Sequence, residues 1–303
     1  MKILVTGSSG QLSRELQLAL AGEGKVLALG HKLLDLAEPA QIRRQVRLLR
    51  PDLIINAAAY TAVDPAQDDR ERAFAVNAIG PGVLAEEAAA LGVPLIHYST
   101  DYVFDGRKNG PYSEEDVPAP LSVYGASKLA GEQAIQAVGG DHLILRTSWV
   151  YSLHGRNFLL TMRRLLQERD SLSVVDDEIG APTWAGTIAA VTAEMVRKRR
   201  SGVGGPSGLY HLTARGETSW YGFACHIAQH LQSQGLLRAR IEPILSANYP
   251  TAAQRPLNSR LSCARLQRDW QITLPDWETA LQQCLGTMPH AQADHSAPTA
   301  QSV

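Results

Sequence analysis

The chain of 303 residues is long enough for one large domain with a smaller companion, and 45% hydrophobic and 19% charged residues are ordinary values for a globular protein. A formal net charge of −1 argues against nucleic acid or an anionic membrane as the main partner. No apolar run approaches a transmembrane span, the amino terminus lacks a signal-peptide pattern, and the 3 cysteines are scattered, so we expect a cytoplasmic protein.

Short apolar runs alternate with amphipathic stretches through the first half of the chain. The apolar runs suit strands that are covered on both faces, and they lie at 2–6, 25–30, 52–59, 93–99 and 142–150. Helical patterns lie between them, at about 10–21, 39–49, 68–91 and 124–138. Because right-handed crossovers place helices on both faces of a parallel sheet, this alternation predicts an α/β fold with a Rossmann-like doubly wound sheet.

The second half predicts a smaller C-terminal α/β lobe for the substrate. Its patterns are a helix at about 157–169, a helix that ends in the basic run 197–200, a strand at 208–214 and a helix at 219–235. We expect a dinucleotide-binding domain of 1–151 plus about 172–200, and a substrate lobe of about 152–171 and 201–286. The tail 287–303 has too little apolar content to pack and is expected to be disordered.

A glycine pattern follows the first apolar run. In "TGSSGQLSREL", Gly7 and Gly10 allow a tight turn and a close approach to a pyrophosphate, at the start of a helix whose amides favour phosphate. Ser13 stands where a third glycine is usual, and it is small enough for close helix–strand packing. A plain strand–turn–helix corner would give the same letters, but the position after the first strand favours a dinucleotide site.

The end of the second strand bears on the choice of coenzyme. Gly30, His31 and Lys32 stand where an acidic residue would bind the ribose of NAD. A basic end accommodates a 2′-phosphate, so the pattern favours NADPH, with NADH as the alternative, and Asp35 is near enough to reach the adenine side. The other interpretation is that His31 and Lys32 are merely exposed loop residues.

The segment "YGASK" places Tyr124 and Lys128 four residues apart at the start of a helix, where they share one face. An ammonium beside a phenol lowers the pKa of the phenol, which could then act as a general acid or base near neutrality. An ordinary exposed pair has the same spacing. The glycine turn, the polar end of the fourth strand in "HYSTDYVF" and this pair all fall at carboxyl ends of predicted strands, where such sheets bind ligands.

With these features the chain resembles the extended short-chain dehydrogenase/reductases, and within them the enzymes that reduce the C4 ketone of dTDP-4-dehydro-L-rhamnose. The resembling segments are "NAAAYTAVD" (56–64), "STDYVFDG" (99–106), "PLSVYGASKLAGE" (120–132), "LRTSWVY" (145–151), "GAPT" (180–183), "GLYHL" (208–212) and "RPLNSRL" (255–261). The resemblance implies an NAD(P)H-dependent reductase with a nucleotide-sugar substrate.

The same resemblance implies the site residues. Tyr124 would protonate the ketone oxygen, Lys128 would lower the pKa of Tyr124 and bind the nicotinamide ribose, and Thr100 would hold the ketone oxygen. The cofactor would lie against Gly7, Gly10, Gln11, Leu12, His31, Lys32, Asp35, Leu36, Ala57, Ala58, Ala59, Thr61, Tyr124 and Lys128. The substrate would contact Thr100, Asp101, Trp149, Arg156, Asn157, Arg255, Asn258 and Arg260.

Several of these positions have a second interpretation. Trp149 is equally well a core residue of its strand, and Asn258 with the neighbouring arginines could instead pin the second lobe to the sheet. Some reductases of this kind dimerise through a magnesium site built from glutamates, but Gly186 stands at one of those positions, so we expect no metal site and a monomer or homodimer. His226 and His230 lie one turn apart without a third ligand.

Two other functions compete with the reductase. An epimerase or dehydratase acting on another nucleotide sugar would share the fold, although the second acid that dehydratases carry is replaced here by Tyr102. A non-catalytic NADP-binding regulatory subunit, such as that of methionine adenosyltransferase, would not need both Tyr124 and Lys128, and both are present.

Overall fold

The computed structural model describes residues 1–287 and resolves the chain into strands and helices close to those expected. The strands are β1 (Lys2–Thr6), β2 (Lys25–Leu29), β3 (Leu53–Asn56), β4 (Leu95–Thr100), β5 (His142–Thr147), β6 (Val150–Tyr151), β7 (Ser171–Val175), β8 (Ile179–Gly180), β9 (Thr183–Trp184), β10 (Gly208–His211), β11 (Thr218–Ser219) and β12 (Arg240–Ile244). The α-helices are α1 (Gln11–Ala19), α2 (Pro39–Leu49), α3 (Arg70–Phe74), α4 (Gly80–Leu91), α5 (Val123–Val138), α6 (Phe158–Glu168), α7 (Ala185–Arg200), α8 (Trp220–Ser233), α9 (Ala264–Trp270) and α10 (Trp277–Gly286).

A six-stranded parallel sheet in the order β10-β5-β4-β3-β1-β2 forms the centre of the molecule. The chain moves outward from β1 first to β2 and then, on the other side, to β3, so the strand order reverses between β1 and β3. Such a reversal opens a crevice at the carboxyl ends of the two strands, and ligands bind there in open α/β sheets.

Apolar side chains cover both faces of the sheet, which confirms the doubly wound prediction. On one face, α1 and α7 pack through residues such as Leu16 and Ile188. On the other face, α2, α4 and α5 pack through residues such as Ile42, Leu84 and Ile135. Burial on both faces explains why the central strands have near-continuous apolar sequences.

The helix expected over 68–91 is interrupted by a π-helical turn at Ala75–Ile79, between α3 and α4. The turn brings Asn77 towards α5, where its Nδ2 donates to Ser127 Oγ at 3.0 Å. The same amide group brackets Tyr60, accepting from its N–H at 2.8 Å and donating to its carbonyl at 3.0 Å. A Cβ on Gly131 would lie 2.1 Å from the Asn77 carbonyl, so this close packing needs glycine.

A separate apolar cluster belongs to the second lobe and contains residues of α6, β7, α8 and α10, among them Leu159, Val174, Phe223 and Leu281. The parallel pair of β7 and β12 borders it. Strand β12 has no recognisable strand pattern in the sequence, because "RIEPI" is largely exposed and contains a proline.

We propose a domain division that differs from the expected one. The segment β7, expected in the nucleotide-binding domain, pairs with β12 of the second lobe. Conversely, β10 lies at the edge of the central sheet, and Leu266 and Trp270 of α9 pack in the sheet core, although 201–286 was expected in the substrate lobe. The proposed boundaries therefore interleave, since the chain returns to the sheet at α7, β10 and α9.

Two predicted strands end earlier than expected. The run 52–59 is a strand only to Asn56, and the run 142–150 stops at Thr147, after which Trp149 adopts a left-handed backbone with φ 48°. Within 1–287, no helix combines the length and apolarity needed to cross a bilayer. Of the expected disordered tail, residues 288–303 lie outside the described part of the chain.

Candidate active site

The turn between β1 and α1 has the geometry of a phosphate-binding turn. Gly7 has φ 74°, and a Cβ there would lie 3.0 Å from the Cβ of Ala58 at the end of β3. Gly10 is the N-cap of α1 and donates its N–H to the Gly7 carbonyl at 2.9 Å. Ser13 is completely buried, as expected of the small residue that replaces the third glycine. The turn thus presents the N-terminus of α1 at the crevice between β1 and β3.

A cavity of about 190 Å³ extends from this turn along the ends of β2 and β3. It is lined by Gly7, His31, Leu34, Asp35, Leu36, Ala58, Ala59, Tyr60, Arg72 and Val76. Six of the expected cofactor residues are therefore brought together. Gly7, Ala58 and Ala59 line the cavity with small side chains, and this leaves room that larger side chains would fill. A dinucleotide needs such room.

The remaining expected cofactor residues lie outside this cavity. Leu12 and Ala57 pack against the sheet core. Lys32 and Thr61 are exposed. Gln11 Oε1 accepts from Asn157 Nδ2 at 2.8 Å, so its side chain links the glycine turn to the start of α6.

Arg72 is a charged residue of the cavity that sequence analysis missed. Its Nη2 lies 3.3 Å from His31 Nε2 and 3.8 Å from Asp35 Oδ2, and Asp35 Oδ2 in turn lies 3.3 Å from His31 Nδ1. The guanidinium belongs to α3, some forty positions after the second strand, so no local pattern connects it with that strand. The basic group at this end of the cavity is therefore Arg72 with His31, and Lys32 does not take part.

Thr100 and Tyr124 meet at the carboxyl end of β4. Thr100 ends the strand and Tyr124 lies in the first turn of α5, and the Thr100 hydroxyl is close enough to lower the pKa of the Tyr124 phenol. Ser122 caps α5 by accepting from the N–H of Gly125 at 3.2 Å. The Tyr102 ring packs edge-on against the Tyr124 ring, with 5.6 Å between centroids. Two elements thus fix the phenol beside the threonine.

Lys128 is buried one helical turn after Tyr124. Its Nζ donates to the Tyr98 carbonyl at 2.7 Å and lies 3.2 Å from His97 Nε2. Burial lowers the pKa of Lys128 to about 8, against the opposing effect of the Glu132 carboxylate. Burial also raises the pKa of Tyr124 to about 12, which the Thr100 hydrogen bond only partly offsets. The expected lowering of the Tyr124 pKa is not found, because desolvation of the phenol dominates and Lys128 is not among the groups that shift it.

A group of acidic and aromatic side chains surrounds the Thr100–Tyr124 pair. The Thr100 hydroxyl donates to Asp101 Oδ1 at 3.1 Å, while Asp101 Oδ2 is buried without a partner among residues 1–287. Burial raises the pKa of Asp101 to about 6, and the charge of Glu178 adds to the rise. Glu178 accepts from Trp220 Nε1 at 3.0 Å. These carboxyl groups can accept hydroxyl hydrogens of a polar ligand.

Trp149, expected to contact the sugar or to lie in the core, is half-buried and stacks on Trp220 with 3.6 Å between ring centroids and 9° between planes. A Cβ on Gly180 would lie 2.6 Å from the Trp149 ring, so glycine is needed beneath it. The stacked indoles form an aromatic wall joined through Trp220 to Glu178. Trp220 and Glu178 were not expected in the site, because they lie far along the chain from Thr100 and Tyr124.

Three residues expected to bind the substrate have their polar groups engaged elsewhere. Asn157 caps α6 by accepting from the Leu160 N–H, and its Nδ2 donates to Gln11. Asn258 Nδ2 donates to the carbonyls of Lys108 and Gly110, at 2.7 and 2.8 Å. Asn258 Oδ1 accepts from Arg260, which also pairs with Glu217 at 3.0 Å. The expected substrate contacts of Asn157, Asn258 and Arg260 are not supported, and the alternative role of pinning loops together fits the geometry.

Arg255 remains a candidate for the ligand. Its Nη2 contacts Asp64 Oδ2 at 3.2 Å, and its Nε is buried with no hydrogen-bond partner in the described chain. It acts electrostatically on Tyr102 and Glu178, so it lies at the edge of the same pocket. Arg156 is exposed. Within 1–287, no group of three or more His, Cys, Asp or Glu side chains is arranged to hold a metal ion.

A glycine turn and a cavity at the β1–β3 crevice, with Thr100, Tyr124 and Lys128 at the carboxyl end of the neighbouring β4, define an NAD(P)-dependent oxidoreductase of the extended short-chain dehydrogenase/reductase type. The family model described as the RmlD substrate binding domain matches residues 1–289, and the chain belongs to this family. The resemblance inferred from the sequence motifs is thereby confirmed.

Relatives with curated names agree over nearly their full lengths. A dTDP-4-dehydrorhamnose reductase of Burkholderia thailandensis is 46% identical over 94% of this chain and 98% of its own. One of Escherichia coli is 42% identical over 95% of this chain and 98% of its own. The solved structure of a dTDP-4-dehydrorhamnose reductase of Bacillus anthracis in complex with NADP superposes with a TM-score of 0.88 at 34% identity, covering 95% of this chain and 99% of that one.

Proposed function

We propose that the protein reduces the C4 ketone of dTDP-4-dehydro-L-rhamnose to give dTDP-L-rhamnose, with NADPH as the reductant and NADH as a weaker substitute. The observation that carries the proposal is the placement of Thr100 and Tyr124 together at the carboxyl end of β4, in the sheet whose β1–β3 crevice holds the nucleotide cavity, in a chain 46% identical to a curated reductase of this name. A cytoplasmic location and a monomeric or homodimeric state remain predictions.

The residues around the cavity fit NADPH. Gly7, with its positive φ, and the N-terminus of α1 suit the pyrophosphate. At the other end, Arg72 and His31 suit the 2′-phosphate, since a guanidinium binds phosphate through charge-assisted hydrogen bonds. Asp35 would be closest to the adenosine hydroxyl that NADH keeps, which is consistent with use of both coenzymes. When bound, NADPH supplies the hydride.

Tyr124 supplies the proton. With a pKa of about 12 its phenol is protonated throughout the neutral range, which is the form needed to protonate the ketone oxygen. The Thr100 hydroxyl lies beside this phenol and would orient the same oxygen. Lys128 stands one turn along α5, and its ammonium form favours the negative charge that develops on Tyr124 as the proton leaves.

The acidic and aromatic wall supports a sugar ligand. Asp101 Oδ2 is a buried acceptor without a partner among the described residues, so a sugar hydroxyl would satisfy it. The Trp149–Trp220 stack offers an apolar face for the 6-deoxy sugar ring, and Arg255 offers a guanidinium for the diphosphate. Arg255 is the only one of the expected second-lobe ligands that the described geometry continues to favour.

The test is turnover with the dTDP-4-keto sugar generated by the upstream dehydratase and epimerase, followed as loss of NADPH or NADH absorbance. Consumption of the coenzyme that depends on the sugar is expected, and no turnover with either coenzyme would refute the proposal. Tyr124→Phe should keep coenzyme affinity and lose at least about 100-fold in kcat. Tyr102→Phe is the matched control, because it removes the hydroxyl group of the neighbouring ring. Equal losses of kcat in the two variants would refute Tyr124 as the proton donor.

A further inference from the structure

A chain of buried polar side chains crosses the central sheet and ends on Lys128. It links Thr6 of β1, Asn56 of β3 and His97 of β4 to Lys128 of α5, and each of these residues is at most 2% exposed. The steps are Thr6 Oγ1 to Asn56 Oδ1 at 2.6 Å, Asn56 Nδ2 to His97 Nδ1 at 2.9 Å and His97 Nε2 to Lys128 Nζ at 3.2 Å. Thr6, Asn56 and His97 each begin a segment quoted in the sequence analysis, but neither the resemblance nor the proposed reaction assigns them a role.

The hydrogens along this chain have one consistent arrangement. The Ala58 N–H donates to Thr6 Oγ1 at 3.0 Å, and the single hydroxyl hydrogen of Thr6 goes to Asn56 Oδ1. The amide NH₂ of Asn56 then faces His97 Nδ1, which must accept. A neutral imidazole with Nδ1 as acceptor carries its hydrogen on Nε2, facing Lys128. Turning the amide over would leave the buried Thr6 hydroxyl without an acceptor, which is unfavourable.

This arrangement discriminates between the two charge states of Lys128. Nζ already donates to the Tyr98 carbonyl at 2.7 Å. An uncharged amine also has a lone pair that can accept the His97 Nε2–H, whereas an ammonium has only hydrogens and would oppose it. We propose that His97 is a positioning residue that orients Lys128 and stabilises the uncharged form of its amine. The hydrogen bonds from the Ala58 N–H through Thr6 and Asn56 fix His97 in the Nε2–H tautomer that this role requires.

The other charged groups around Lys128 do not replace this effect. Glu132, one turn further along α5, favours the ammonium, but both of its oxygens are taken by the buried Arg146 of β5, at 2.8 and 2.6 Å. Asp101, in the turn after β4, acts on Tyr124. Burial keeps the pKa of His97 well below its usual value, and the charge of Lys128 lowers it further, so the ring is neutral at pH 7.

The inference rests on the proposed function for its catalytic consequence. Since the ammonium form of Lys128 favours negative charge on Tyr124, kcat/KM for the reduction should fall as the pH rises through the Lys128 pKa of about 8. The hydrogen-bond chain, rather than the Tyr–Lys spacing, would then set the alkaline limit of the enzyme.

The tautomer can be tested without turnover. Long-range proton–nitrogen correlation on the full-length protein with isotope-labelled histidine should show one ring as the neutral Nε2–H form at pH 7, and His97→Gln should remove that signal. A Nδ1–H tautomer or a protonated ring for His97 would overturn the proposal. Because this measurement needs no substrate, its failure is distinguishable from failure of the proposed function.

Two variants test the link to Lys128. Asn56→Asp replaces the amide with a group that only accepts, so His97 should switch to the Nδ1–H tautomer and Nε2 should accept from the ammonium. The alkaline limb of kcat/KM should then move up by about one pH unit. If the buried carboxylate of Asn56→Asp prevents folding, Thr6→Val provides the same test. It removes the hydroxyl that fixes the Asn56 amide, so the amide can flip and the alkaline limb should move the same way. Thr6→Ser keeps the hydroxyl and should retain the native tautomer and limb. A limb that stays in place after the tautomer has switched, or that moves equally in Thr6→Ser and Thr6→Val, would overturn the proposal.

Discussion

Gly125 is the residue that lets α5 approach the turn after β4, and Gly125→Ala tests whether this approach places the catalytic phenol. A Cβ at position 125 would lie 2.1 Å from the carbonyl oxygen of Tyr102 and 3.0 Å from the Cβ of Pro120. The first distance is far below any permitted contact, and the obstacle is backbone that cannot swing aside. The start of α5 must therefore retreat by about 1 Å, and Tyr124, the preceding residue, retreats with it.

The expected effect on catalysis is much larger than the effect on stability. A displacement of about 1 Å between reacting groups can cost about 100-fold in rate, so kcat/KM should fall by roughly that factor. Overpacking costs about 1–3 kcal/mol, and the better helix propensity of alanine returns up to about 1 kcal/mol. The free energy of unfolding should thus fall by only about 1–2 kcal/mol, and the nucleotide cavity, which Gly125 does not line, should bind NADPH unchanged.

The assay compares kcat/KM, NADPH affinity and urea unfolding of Gly125→Ala with those of Gly286→Ala. The control makes the same substitution in α10, where a Cβ meets nothing within 4 Å. It should match the native chain in activity and be equal or slightly higher in stability. Native kcat/KM in folded Gly125→Ala would refute the reasoning, since Tyr124 would then not depend on the contact with Tyr102.

Three other changes have definite expected outcomes. Arg72→Ala should raise KM for NADPH about tenfold, equivalent to about 1.4 kcal/mol, and leave KM for NADH nearly unchanged. The control Lys32→Ala should change neither KM by more than about twofold. Equal effects of Arg72→Ala on the two coenzymes would contradict the 2′-phosphate assignment. Because burial raises the pKa of Asp101 to about 6, ionisation of this carboxyl group opposes folding at pH 7. Asp101→Asn should therefore be more stable than the native chain at pH 7 by up to about 3 kcal/mol. The advantage measured by urea unfolding should shrink as the pH falls toward about 4. Trp220→Phe should keep NADPH affinity and raise KM for the sugar severalfold, as it removes the hydrogen bond to Glu178; an unchanged KM would exclude this wall from sugar binding.

The sequence predicted the sheet and the glycine turn after β1 well, because both depend on local pattern. Strands buried on both faces, such as β4, have near-continuous apolar runs, and the turn after β1 needs the glycine conformation that Gly7 adopts. By contrast, β12 is short and largely exposed, so its apolar content falls below any recognisable period. The π-helical turn at Ala75–Ile79 depends on Asn77 reaching across to α5, a tertiary contact with no local signal.

The predicted substrate residues whose polar groups are engaged within the protein share one physical feature. Asn157, Asn258 and Arg260 have polar groups that suit a diphosphate, but each group is already used by a helix cap or a loop carbonyl. A sequence shows which donors and acceptors exist and does not show which are already paired. Arg72 is the opposite case, since only the fold brings α3 to the end of β2 and makes its guanidinium part of the cavity.

The protonation state of the Tyr124–Lys128 pair depends on burial in a way that residue spacing cannot reveal. Spacing alone predicted a phenol made more acidic by a neighbouring ammonium, which is the form that would remove a proton from an alcohol. Burial instead raises the pKa of Tyr124 to about 12 and lowers that of Lys128 to about 8, so at pH 7 the phenol is protonated and the amine still mostly charged. A protonated donor with a cation one turn away is suited to the protonation of a ketone oxygen. Desolvation thereby keeps the phenol in the protonated form that the proposed reduction requires.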